Sequence, residues 1–200
     1  MLRAGACALA AVGSVVSMSS AVEQEQYQVR FDWAREGAHA IGANADVVVL
    51  VDVLGEMTAI PELPDGTTAV IVAGSLRNSA AVARWALARQ ADKGDRFIVA
   101  VVAMGEARDS GTTRFALEDL LGAGAIIDAL ATVGIDYCSP EAAAAAAAFT
   151  GLRNATGHLI GASTSGRATT ARGDRAAVDV AIAVNSSDEV LVLREFSFGS

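Results

Sequence analysis

Three uninterrupted apolar runs organise the chain. The run DVVVLVDV at 46–53, the segment TAVIVA at 68–73 and the segment FIVAVVAM at 97–104 each read as a strand buried on both faces, the pattern of a parallel sheet. VLVL at 190–193 is a shorter strand candidate. Helices are expected between them. Asn78 or Ser79 caps one that runs to about Gln90 and ends at Lys93-Gly94. Another starts at Arg114 and carries the acidic pair Glu118 and Asp119. Ser139, Pro140 and Glu141 supply an N-cap, a proline at the first helical position and a first-turn acid ahead of seven alanines at 142–148. A last helix is expected from Arg175 to about Val184. Residues 161–173, rich in Gly, Ser and Thr, read as a loop. The 46–53 and 68–73 strands are joined by about 14 residues that include Pro61, Pro64 and Gly66, short for a parallel crossover that normally contains a helix.

Two hundred residues with 52% hydrophobic and 5% aromatic side chains suit one α/β domain and exclude a disordered chain. Mean hydropathy is +0.40. A formal net charge of −8, from 23 acids against 15 lysines and arginines, argues against nucleic acid as a partner. Two cysteines, Cys7 and Cys138, fit neither a disulfide framework nor a Cys-rich zinc site, and they suit a reducing cytoplasm. With only His39 and His158 present, chemistry must rest on carboxylates, hydroxyls, arginine and backbone. Arg3 followed by an apolar stretch at 4–16 imitates a signal peptide, but the stretch is too short to span a bilayer, and Met18 opens a polar leader instead. The reading is a leader at 1–26, a catalytic domain at 27–200, a cytoplasmic location and no membrane partner.

Candidate chemistry gathers at strand ends. Ligands of open α/β sheets bind beyond the carboxyl ends of the strands, so Asp52 after the first apolar run and Glu106 after the third are site candidates. A carboxylate such as Glu106, next to Gly105, can hold a hard cation or accept a proton. Glu118 lies four residues after Arg114, where a surface helical ion pair is the plain alternative to a site role; Asp119 is its neighbour, and at most one of the two acids would face a site. Two segments have the composition of an anion cradle: Ser75 to Asn78, leading from a strand into a helix, and Ser165, Gly166 and Arg167. There is no GxGxxG fingerprint, Walker motif or GxSxG elbow, which leaves a nucleotide-binding domain without support.

Taken in order, FDWAREGA at 31–38, ADVVVLVDVL at 45–54, SLRN at 75–78 with ARW at 83–85, Gly105-Glu106, EDLLGAGA at 118–125, SPEA at 139–142 and SGR at 165–167 resemble the 2-phosphosulfolactate phosphatase (ComB) family. The resemblance implies a three-layer α/β/α fold with a mostly parallel sheet. It also implies Mg2+-dependent removal of phosphate from 2-phospho-3-sulfolactate, a step of coenzyme M biosynthesis. Asp52, Glu106 and Glu118 would be catalytic, with Asp52, Glu106 and Asp119 on the metal. Ser75, Asn78, Ser165, Gly166 and Arg167 would hold the substrate, a small phosphorylated organic acid. The chain also departs from the family. After Ile60 it leads almost directly into the 68–73 strand, where the resemblance calls for a further helix and a polar Asn-Gly loop, so the fold is expected to be reduced. A second reading follows: a catalytically impaired remnant that folds or binds small anions, with an uncovered sheet edge that would drive homo-oligomers.

Overall fold

The computed structural model describes residues 24–55 and 60–195. The expected leader lies outside the described residues as far as residue 23, whereas Gln24 is part of the folded body. A five-stranded sheet has the order β1-β4-β2-β3-β7, formed by Val29–Trp33 (β1), Val47–Val51 (β2), Val70–Gly74 (β3), Val99–Ala103 (β4) and Val192–Arg194 (β7). The first four are parallel and in register, Val47 facing both Val70 and Val99, and β7 runs antiparallel along β3. Helices lie on both faces, so the fold is a three-layer α/β/α arrangement on a mostly parallel sheet, as the apolar runs foretell.

Each central strand is buried throughout because its alternate residues meet different layers. Val47, Val49 and Val51 face Ser79–Lys93 (α2), Leu117–Thr132 (α3) and Pro140–Leu152 (α4). Val48 and Leu50 face Ala34–Gly42 (α1) and the chain around Leu63. The second layer is thin: residues 60–69 cross it without a helix, held by a turn in which Thr67 donates N–H and Oγ–H to the Pro64 carbonyl. Helix α3 is buried nearly all round, from Leu121 through Leu130, because it is pressed between the sheet and α4. Gly124 permits this contact: a Cβ there would stand 2.2 Å from the Ala145 carbonyl oxygen.

Several expectations need correction. The helix expected from Arg114 begins at Leu117, because Thr113–Arg114 (β6) pairs antiparallel with Glu106–Ala107 (β5) in a short hairpin. Arg114 is therefore off the helix and makes no helical pair with Glu118. The expected loop at 161–173 is mostly helix: Thr156–Ala162 (α5) turns at Ser163 into Thr164–Ala171 (α6). Ser163 caps α6 by accepting the Gly166 N–H, and Gly166 lies so close to the Ile160 carbonyl that a Cβ would sit 2.0 Å from it. Arg175–Ala181 (α7) stops short of Val184. Strand β1 and helix α1 were not foreseen as elements.

The outer edge of β1 is closed by its own chain. Gln24 uses its side-chain amide as a neighbouring strand would, donating Nε2–H to the Phe31 carbonyl at 2.9 Å and accepting the Phe31 N–H at 3.1 Å. Val29 donates to the Tyr137 carbonyl and accepts from the Ser139 N–H. The row of backbone groups that would recruit another strand is thus occupied at Val29 and Phe31.

Candidate functional site

The carboxyl ends of β1, β2 and β4, the β5–β6 hairpin and α6 surround a cleft of about 470 Å³. Asp52 stands one residue beyond β2 and borders it, with Oδ1 accepting the Gly55 N–H at 2.8 Å. Burial pushes the Asp52 carboxyl above its ordinary range; the Gly55 N–H opposes this and the charge of Glu118 adds to it. A Cβ on Gly55 would meet Asp52 Oδ1 at 2.2 Å, so the turn that orients this carboxylate requires glycine.

Glu118 and Asp119 open α3, and both border the cleft, where the sequence had suggested one at most. Each is only 2% exposed, yet they do different things. Asp119 spends both oxygens on the protein: Oδ1 accepts the Val53 N–H at 2.8 Å and Oδ2 the Gly105 N–H at 2.9 Å, tying the loops after β2 and β4 to α3. Burial holds its carboxyl well above the ordinary value; the Val53 N–H works against that, and the charges of Asp52 and Glu118 reinforce it. Glu118 makes no hydrogen bond among the described residues and leaves its carboxylate to the cleft.

Glu106 is joined to Arg114 by an ion pair across the hairpin, and Ser165 on α6 completes the cluster by accepting from Arg114 Nη2 at 3.2 Å. The remaining expected ligands are dispersed. Ser75 borders an adjoining hollow of about 750 Å³, on the far side of the Asp52–Gly55 turn. Asn78 is buried and committed to the fold: Oδ1 accepts the Ser75 N–H while Nδ2 donates to the Ala73 and Glu189 carbonyls. Gly166 is packed inside the α5–α6 corner, and Arg167 is exposed and borders neither hollow among the described residues.

Three further residues line the cleft: Arg35 at the start of α1, Thr169 on α6 and Arg172, which caps the C-terminus of α6. Ser165, Thr169 and Arg172 are spaced i, i+4 and i+7, so one helical face carries all three. That spacing was readable, but only had the segment been taken as a helix.

A divalent cation was expected from the resemblance. Among the described residues no three acids, histidines or cysteines are grouped to hold one, and Asp52, Glu106 and Asp119 do not form such a set. Each oxygen of Asp119 accepts a backbone N–H, and Oε2 of Glu106 is engaged by the Arg114 guanidinium. Asp52 and Glu118, near enough for Glu118 to shift Asp52, leave two carboxylates facing one open cleft. This suits Mg2+, which commonly takes one or two carboxylates and completes its shell with waters and substrate phosphate. No described helix is long and apolar enough to cross a membrane.

A family model described as 2-phosphosulpholactate phosphatase matches residues 65–195, more than half of the chain. The match takes in β3, the hairpin, α3 and α6 and begins within the 60–69 stretch, so Arg35 and Asp52 lie before it. No curated protein matches the chain. By its match from β3 to β7, the chain belongs to the 2-phosphosulpholactate phosphatase family, a family of enzymes that hydrolyse a phosphate ester.

Proposed function

We propose that the protein is a cytoplasmic, Mg2+-dependent phosphomonoester hydrolase that converts 2-phospho-3-sulfolactate and water into 3-sulfolactate and phosphate. The observation that carries this reading is that one cleft is lined by both charges: Asp52 beyond β2 and Glu118 at the start of α3 border it together with Arg35 and Arg172. A small phosphorylated acid needs both parts.

Asp52 and Glu118 would hold the cation, which when bound offsets phosphoryl charge and sharpens the electrophile. The chain's own residues supply the rest. The uncapped N-terminus of α1, with Ala34 and Arg35 on the cleft, offers backbone N–H groups and a guanidinium to phosphoryl oxygens. The Gly55 N–H keeps the Asp52 carboxylate turned toward the reacting centre, and the Asp119 clamp holds the loops after β2 and β4 at a constant separation.

Phosphate release from 2-phosphosulfolactate, measured with Mg2+ and with chelator, tests the proposal. Turnover that depends on the metal and falls by about two orders of magnitude or more in Asp52→Asn and Glu118→Gln is expected; wild-type rates in both variants would overturn it. The helix-free stretch at 60–69 and the engagement of Glu106 by Arg114 favour a second reading, an impaired member that retains the fold and weak anion binding. Cooperatively folded wild-type protein without turnover would select it.

A further inference from the structure

Arg172 occupies a distinctive position. It borders both the catalytic cleft and the adjoining hollow, which share the Asp52–Gly55 turn and the end of α6 as their divide. Its Nη2 donates to the Thr169 hydroxyl at 3.1 Å, which orients the guanidinium, and its other donors have no partner among the described residues. Among the described residues no carboxylate pairs with it. Arg84, Arg89, Arg153 and Arg175 are matched to acids on the outer surface, whereas Arg35 and Arg77, which border the two hollows, have like Arg172 no acid among the described residues. In a protein of net charge −8, cations at a cleft without an acid among the described residues point to an anion from outside.

The second hollow strengthens this. Ser75 and Arg77 border it; of its two acids, Asp52 is shared with the cleft and Asp174 is occupied in capping α7 through the Ala177 N–H at 3.0 Å. A ligand with its phosphoryl group over Asp52 and Glu118 therefore meets Ser75 and Arg77 across the turn, beside the apolar Ala177, Val180 and Ala181.

We propose that Arg172 is a specificity-determining residue that reads a second anionic group of the substrate, a sulfonate or carboxylate lying a few bonds from the phosphate. The inference rests on the phosphatase reading for the position of the phosphoryl group. It makes the preferred substrates small organic phosphates with two separated anions, and it gives this task to Arg172 in place of the motif residue Arg167. The guanidinium fork matches the planar carboxylate and the tripod of sulfonate oxygens, and the hydroxyl of Thr169 fixes its direction.

The full chain is compared with Arg172→Ala, Arg172→Lys and, as a control of equal charge, Arg175→Ala. The ratio of kcat/KM for 2-phosphosulfolactate to that for p-nitrophenyl phosphate is expected to fall about 10- to 100-fold in Arg172→Ala, chiefly through KM. Arg172→Lys recovers part of it, and Arg175→Ala keeps the wild-type ratio. An unchanged ratio in Arg172→Ala, or an equal fall in Arg175→Ala, overturns the proposal. Thermal unfolding with 3-sulfolactate gives a readout without turnover. Stabilisation of the wild-type chain that is lost in Arg172→Ala supports the assignment; absence of stabilisation in the wild type, or its persistence in the variant, refutes it. If the wild type releases phosphate from neither ester, the phosphatase reading fails while the 3-sulfolactate result still decides the role of Arg172.

Discussion

Asp119 accepts the Val53 N–H at 2.8 Å, joining the first turn of α3 to the loop that follows the cleft residue Asp52. Its other oxygen holds Gly105, so one buried carboxylate sets the spacing of two loops. Asp119→Ala leaves two N–H groups without a partner, and the removal of a buried charge offsets only part of that loss. The expected cost is about 2 kcal/mol in urea unfolding, with phosphatase turnover reduced about tenfold or more as the loops separate. Wild-type stability together with wild-type turnover would contradict the clamp.

Three acids, Asp32, Asp52 and Asp119, have carboxyls raised chiefly by burial. Their folded forms hold protons more tightly than the unfolded chain does. The associated stability is fully present below the unfolded value of about 3.9 and is lost as pH rises through the raised folded values. In chelator, the urea midpoint is therefore expected to be higher at pH 5 than at pH 7.5, and the difference should shrink in Asp119→Ala. A midpoint that rises with pH over this interval would disprove the assignment.

Asn78 links the start of α2 to the chain entering β7 through the Glu189 carbonyl. Asn78→Ala removes three part-buried hydrogen bonds to backbone, and its effect is expected first in stability, about 2 kcal/mol, with loosening of the β7 edge. Amide exchange at residues 190–194 reports this directly. Full protection there, with KM raised instead, would assign Asn78 to the substrate.

Gly55→Ala places a methyl group where Asp52 Oδ1 now lies. The carboxylate must swing away, so Mg2+-dependent turnover is expected to fall about 100-fold while the unfolding midpoint shifts little. Unaltered turnover would show that the orientation of Asp52 is not used.

Much of this architecture was legible in the chain. The runs that became β2, β3 and β4 are apolar at every position because both faces of the sheet are covered, and no periodic alternative competes with that signal. Ser139 with Pro140 announced α4 by local chemistry alone. The placement of Asp52 and Glu106 at the carboxyl edge followed from the strands.

Strand β1 was hidden by Arg30, a charged residue that is 2% exposed. Its guanidinium donates to the Ile41 and Ala43 carbonyls at the end of α1, so the charge is accommodated by a helix that the strand itself precedes. Sequence patterning registers the charge and not its acceptors. Helix α6 was hidden by hydroxyls and Gly166, whose weak helical preference is overridden by a Ser163 cap and by the burial of Thr169.

What the sequence alone determined was the α/β class, the parallel core, the principal helix starts and the edge on which chemistry collects, because these depend on local pattern and on a general rule of open sheets. Tertiary structure decided which carboxylates are free and which are spent. Glu118 and Asp119 are adjacent, equally buried and alike in sequence, but two backbone N–H groups from distant strand ends reach only Asp119. Partners separated by 66 and 14 residues along the chain are brought together only by packing α3 against the sheet.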